Sequence, residues 1–367
     1  MQQVEEDFLT LKFARIGLLP ALKKFIFDAY SGETQEDFEK RIDIASAIAK
    51  KNCAPIIDDI ELKKEIAYHL KNGAKIIGMH HECYPQTLRQ ISSAPVALSV
   101  KGQVNTLRRL VASVAGTREP DGIDFGIIRE IVYWINKSGF VVASGLAVGT
   151  DSIAHLESME EGTIGIVSCG ISYNYPRENE FFVEKIIEKG GCIVSEYAYK
   201  EPPRSSNFIQ RDRLIAGIST SVFIMRARAF RCGTMATARF AKSFGRKVYT
   251  VNFQHDCAGN KYLLNNGMAE KITDFEQVRA GLVMDLFNFR QQYGEDEDEI
   301  YTPQSQLFDT KICTTNIAKE IKKWLNNSNY YKITEKNFLK IYELCKNDIQ
   351  ASDVEVRMGI LEAMIAS

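Results

Sequence analysis

Three short segments of this sequence combine glycine with hydroxylated residues in a way that suits anion binding. They are Gly116-Thr117-Arg118, Ser144-Gly145-Leu146-Ala147-Val148-Gly149-Thr150-Asp151 and Arg231-Cys232-Gly233-Thr234. Glycine lets the backbone turn tightly, and a loop that opens a helix leaves N–H groups free to cradle a phosphate. Singly, each could be no more than a helix cap. Together they predict an anion or phosphate site. An acid–base reading rests on Asp151 and His155, spaced i, i+4 on one helix face. Capping suits Asp151 better, and His155 reads as a hydrogen-bonded structural residue. No nucleophile elbow and no Gly-x-x-x-x-Gly-Lys-Ser/Thr loop occurs. His80-His81-Glu82-Cys83 is the one cluster of metal-ligand types, without a second ligand group downstream, and reads as a surface turn.

The segments that must position these loops alternate. Apolar runs Leu110–Ala115, Phe140–Ala143, Thr163–Cys169, Cys192–Ser195, Ser221–Met225 and Lys247–Val251 are separated by helix-length amphipathic stretches. Each parallel crossover needs a connecting element, so the pattern predicts an α/β domain over 105–280: a doubly wound, mostly parallel, Rossmann-like sheet. Ligands bind such sheets at the carboxyl ends of the strands, where the three loops fall. Residues 1–100 read as a mainly helical N-terminal domain, from apolar spacing near 3.6 in stretches such as Phe38–Ala49. Residues 281–310, with the acidic run Glu295–Glu299, read as a linker, and 311–367 as a small C-terminal helical domain.

With 367 residues, two or three domains are expected. Charge nearly cancels: 46 Lys and Arg against 47 Asp and Glu give a net −1, which excludes a uniformly basic protein. The distribution is uneven. Between Arg204 and Lys247 stand ten cations, eight of them arginine, and one anion, Asp212, for a local net charge of +9. Arginine favours bidentate phosphate contact and base stacking, so this stretch predicts a polyanion as ligand. The acidic start Met1–Asp7 lacks the basic character of a signal peptide and no long apolar run follows, which predicts a cytoplasmic protein without a membrane partner. Eight scattered cysteines with no Cys-x-x-Cys pair read as reduced thiols.

The loops, in this order, resemble the DNA-processing protein A family (DprA, also called Smf). Its Gly-Ser-Arg run corresponds to Gly116-Thr117-Arg118, and its Ser-Gly-x-Ala-x-Gly-Ile-Asp-x-x-Ala-His to Ser144 through His155. Its Tyr-Pro followed by Asn is similar to Tyr175 through Asn179, and its Ser-Glu-Tyr to Ser195-Glu196-Tyr197. Its Phe-x-x-Arg-Asn-Arg-x-Ile-Ala-Gly-Leu-Ser resembles Phe208 through Ser219, and its Ser-Gly-Ser/Thr-x-x-Thr-Ala resembles Cys232 through Ala238. The resemblance covers about 74 to 276. Val148 stands where the family often has a basic residue, Thr150 replaces isoleucine, Arg226 stands where a glutamate commonly ends the strand, and Asn252-Phe253 replaces Pro-Gly.

The resemblance implies a single-stranded-DNA-binding homodimer that protects incoming DNA and assists loading of a RecA-type recombinase in recombination and natural transformation. It implies no catalytic residues, no cofactor and no metal. Carried over by position, the DNA and phosphate contacts would be Gly116, Thr117, Arg118, Ser144, Gly145, Gly149, Arg211, Arg213, Gly233 and Thr234. Gln304-Ser305-Gln306-Leu307-Phe308 has the spacing of a sliding-clamp peptide, or is an ordinary linker anchor. The rival class is a nucleotide enzyme or sensor of the related lysine-decarboxylase-like group, whose phosphoribohydrolases carry a glutamate soon after Gly-Thr. Here Met235-Ala236-Thr237-Ala238 follows, without a carboxylate. A diverged scaffold that keeps only dimerisation is a third possibility.

Overall fold

The computed structural model describes residues 2–293, apart from 31–33, 175, 177, 178, 231, 254 and 256, together with Glu343. The acidic run, the expected C-terminal domain and the Gln304–Phe308 segment lie outside the described residues. The described residues form two compact units, one of residues up to Ala67 with Ser92–Ala97, the other of Tyr68–Ile91 and Leu98 onward.

The first unit is built from α1 (Gln2–Ala14), α2 (Pro20–Ala29), α3 (Gln35–Lys51) and most of α4 (Asp59–Lys71). Pro20 opens α2, where its missing N–H costs no hydrogen bond. Thr34 and Asp37 satisfy each other's backbone donors in a capping box at the start of α3. Leu22, Phe25, Ile26 and Ala29 of α2 are buried at helical spacing. Arg41 is fully buried with them, its guanidinium 4.1 Å from the ring centre of Phe27 and 4.8 Å from that of Phe38.

The second unit opens with β1 (Ala74–Gly78), α5 (Gln86–Arg89) and β2 (Ala97–Gly102). It continues with β3 (Val111–Ala115), α6 (Gly122–Lys137), β4 (Val141–Gly145), α7 (Thr150–Glu157), β5 (Thr163–Ile166), α8 (Glu180–Glu188) and β6 (Cys192–Ser195). Then come α9 (Ser205–Ile218), β7 (Ser221–Ile224), α10 (Gly233–Ser243), β8 (Lys247–Thr250), α11 (Ala258–Asn265), β9 (Glu270–Lys271) and α12 (Phe275–Tyr293). The sheet runs β1-β2-β6-β5-β4-β3-β7-β8-β9. Strands β6 to β9 in that order are parallel, and β2 is antiparallel to β6, with Ser99 opposite Ser195. The expected α/β, doubly wound, mostly parallel architecture is what the chain forms. Side chains alternate across it: Ala112, Val114 and Phe223 pack against α6, α7 and α12, whereas Ala115, Val222 and Ile224 pack against α9, α10 and α11.

Two boundaries differ from the sequence reading. The segment 74–102, grouped there with the N-terminal helices, supplies the five-residue β1 and six-residue β2, which join the sheet. The stretch 281–293, read as the start of a linker, continues α12. Val278, Leu282 and Asp285 bury one face of that helix, but exposed Val283, Met284 and Phe287 blur the period. Among the described residues no helix is long and apolar enough to cross a membrane.

Candidate nucleic-acid interface

The chain leaves β3 for β4, β5 and β6 on one side, then returns to place β7 and β8 on the other. β3 and β7 therefore flank the reversal of winding, the place where such sheets open a crevice. All three glycine loops converge there. A Cβ on Gly116 would stand 2.5 Å from Thr150 Oγ1 and 2.8 Å from Met225 Cβ, so only glycine lets the β4 and β7 loops close on the end of β3. Gly149 has φ 90° and ψ −126°, open only to glycine, and packs on the Thr117–Arg118 backbone. Thr150 donates its N–H and its hydroxyl to Thr117 O, both at 3.0 Å, and Thr234 donates to Gly116 O at 3.0 Å.

These bonds alter the expected roles. Arg118 and Gly233 are exposed, and Gly116, Thr117, Gly149 and Thr234 are half-buried at the loop tips. Ser144 is fully buried and donates to Val114 O at 2.6 Å, so its side chain positions the β4 end. Gly145 is buried because the Arg211 guanidinium occupies the place a Cβ would fill. Arg211 itself is 6% exposed and donates to Ile166 O at 2.8 Å. Arg213, two residues on and roughly 200° around α9, is not brought to the loops; it is 2% exposed and ion-paired with Glu196.

The basic stretch likewise does not become a basic groove. Its described cations are all committed: Arg204 to Glu201, Arg211 to Asp212, Arg213 to Glu196, Arg226 to Asp124 and Asp121, Arg228 to Glu119 and Lys247 to Asp285. Arg239, Lys242 and Arg246 donate to the carbonyls of Phe230, Gly267 and Thr87. Arg231 lies outside the described residues. Arg226, which could have added positive charge to the crevice, is neutralised by two aspartates. The arginine that remains, Arg118, precedes the stretch and makes no hydrogen bond or ion pair among the described residues. With Arg211, Val148, Val167, Ser168 and Phe208 it lines a cavity of about 190 Å3. That volume is well below a typical site for a whole cofactor, roughly 300–1,000 Å3, and suits one phosphate or base of a longer chain. A larger hollow of about 650 Å3 lies along α6 beside Phe275, and no glycine loop reaches it.

His155 is fully buried, 2.6 Å from Gly145 O and 2.9 Å from Thr163 Oγ1. Burial is the main cause that lowers its pKa to about 4; the Gly145 bond opposes this and Arg211 adds to it. The ring is a neutral brace between β4 and β5, and its NMR resonances are expected not to titrate between about pH 6 and 8; a midpoint inside that range would return it to acid–base chemistry. Burial also raises the pKa of Asp151, while Arg211 and the Ala147 N–H oppose the shift. His81 Nδ1 accepts the Cys83 N–H at 3.0 Å within a turn, and the described residues hold no group of three or more metal-ligating side chains.

One residue of the site escaped the sequence reading. Asp212 was counted only as an interruption among cations, yet its carboxylate lies 3.2 Å from Arg211 Nε and against Gly233. Being the sole anion in that stretch was the available signal. Burial raises its pKa to about 7, with Arg211 opposing and Asp151 reinforcing the shift.

A doubly wound sheet whose glycine loops meet Arg118 at the winding reversal defines a Rossmann-like protein with a candidate anion site at its strand ends. Its family follows from comparison: the chain belongs to the DNA recombination-mediator protein A family, whose model matches residues 75–282. Protein Smf of Borreliella burgdorferi is 27% identical over 271 residues, 73% of this chain and 82% of that protein. Other relatives are matched over as little as 50% of their length. DNA processing protein A of Helicobacter pylori, whose structure addresses its single-stranded DNA binding mode, is 27% identical with a TM-score of 0.52, covering 55% of this chain and 93% of that one. The Streptococcus pneumoniae protein shares the fold at a TM-score of 0.59 and 24% identity, covering 76% of this chain and 97% of that one.

Proposed function

We propose that this protein binds single-stranded DNA at the carboxyl edge of β3, β4 and β7 and acts, without a catalytic cycle or cofactor, as a cytoplasmic recombination mediator. One observation carries the reading: among the described residues Arg118 is exposed and makes no ion pair at the winding reversal, beside a cavity sized for one phosphate or base. The contacts proposed are Arg118, the loop backbones at Gly116, Thr117, Gly149, Gly233 and Thr234, and Arg211 from beneath. The relative from Helicobacter pylori supports the ligand class. Homodimer formation, protection of incoming DNA and assistance to a RecA-type recombinase complete the proposal on the strength of family membership.

The test is titration of a labelled single strand and the matching duplex at two salt concentrations. The single strand is expected to bind more tightly, with log K falling linearly in log salt at a slope of about −0.7 per phosphate neutralised. Equal affinity for the duplex, or no binding at low salt, overturns it. A second reading has one favourable observation, since Asp212 brings a carboxylate to Gly233 from another helix, where the phosphoribohydrolases place a glutamate. Release of free base from a nucleoside monophosphate would establish it.

A further inference from the structure

Asp212 stands where the resemblance has asparagine, and it occupies the place prepared for an anion. One carboxylate oxygen lies 3.2 Å from Arg211 Nε; the other faces Gly233, 3.3 Å from where a Cβ would stand, at the first residue of α10. That helix end has no side-chain cap. The carboxylate thus sits between a guanidinium and the positive end of a helix, the arrangement that attracts phosphate. The charged groups facing it are Arg211 of its own helix, Asp151 of α7 and Arg118 of the loop after β3. Arg211 Nε, in an almost buried side chain, makes no hydrogen bond despite the ion pair, so the pair is imperfectly formed.

We propose that Asp212 is the resident anion of this cradle and that binding of a DNA phosphate transfers one proton from solvent onto its carboxylate, so that affinity falls as pH rises. The inference rests on the single-stranded-DNA reading above. A phosphate beside Arg118 brings a second negative charge to a partly desolvated place, and like charges there favour the neutral acid. Protonation removes the competitor and frees Arg211 for the phosphate. The carboxyl is poised for this, since its pKa already lies at about 7. Asp151 is the second carboxylate facing this place, with its pKa also raised by burial, and the Asp212→Asn variant tells which of the two takes the proton. By linkage, a proton taken up on binding lowers affinity by up to tenfold per pH unit above the free carboxyl's pKa.

The experiment is anisotropy with a labelled oligothymidylate from about pH 6 to 8.5 at fixed ionic strength, on wild type and Asp212→Asn. The wild type is expected to weaken across the range. The variant should be nearly flat and bind about tenfold more tightly than wild type at the alkaline end. Calorimetry of the wild type in two buffers of different ionisation enthalpy should show uptake of up to one proton, and none for the variant. Parallel pH profiles, or no proton uptake by the wild type, overturn the inference while leaving single-strand binding intact. Absence of binding at every pH overturns both.

Discussion

Arg226→Ala is expected to lower the stability of the sheet domain by about 3–5 kcal/mol, because it strands a buried carboxylate. Arg226 Nε lies 2.8 Å and 3.1 Å from the two oxygens of Asp124, Nη2 is 2.9 Å from Asp121, and Nη1 donates to His255 O at 2.6 Å. Asp124 is 1% exposed, and among its bonds only the Asp121 N–H would remain. For a domain of this size the loss corresponds to a drop in Tm on the order of 10 °C, read by thermal unfolding. Asp124→Ala combined with Arg226→Ala should cost less than the sum of the two, since the pair is coupled. Below its lowered Tm, Arg226→Ala should bind single-stranded DNA as the wild type does. An unchanged Tm with lost binding would place Arg226 in the groove.

Arg226 also marks where sequence reading stops. Strand and helix order was legible because buried parallel strands leave short apolar runs, and the glycine loops were legible because the backbone at Gly116 and Gly149 admits no other residue. The fate of the cations was not. Asp124 lies 102 residues from Arg226, Glu119 lies 109 from Arg228 and Glu196 lies 17 from Arg213. A charge count along the chain sees the cations of α9 and α10 but not the anions the fold brings to them. Helix α9 shows why: residues 211–218 are all buried, and charges in a helix surrounded by protein need partners. The two-residue β9 left no pattern to read. Asp212 reads as an interruption in one dimension and as an occupant in three.

The same reasoning separates two arginines that the sequence treats alike. Arg118→Ala is expected to weaken single-strand binding about tenfold and to reduce the salt slope by about 0.7, the signature of one lost phosphate contact. Its Tm should stay within about 1 °C of wild type, since an exposed side chain with no hydrogen bond or ion pair among the described residues contributes little to folding. Arg211→Ala should weaken binding too, but with a lowered Tm. It removes the bond to Ile166 O, opens the space above Gly145 and leaves Asp151 and Asp212 facing each other with the exposed Arg118, a weaker influence on both, in place of their nearer cation. At alkaline pH that loss should be greatest, because Asp212 is then charged; as pH falls through its pKa, which losing Arg211 raises further, the variant should recover part of its stability. Thermal unfolding at about pH 6 and 8.5, alongside salt-dependent anisotropy, reads both effects. If Arg118→Ala leaves affinity and salt slope unchanged, the strand-end crevice is not the DNA site.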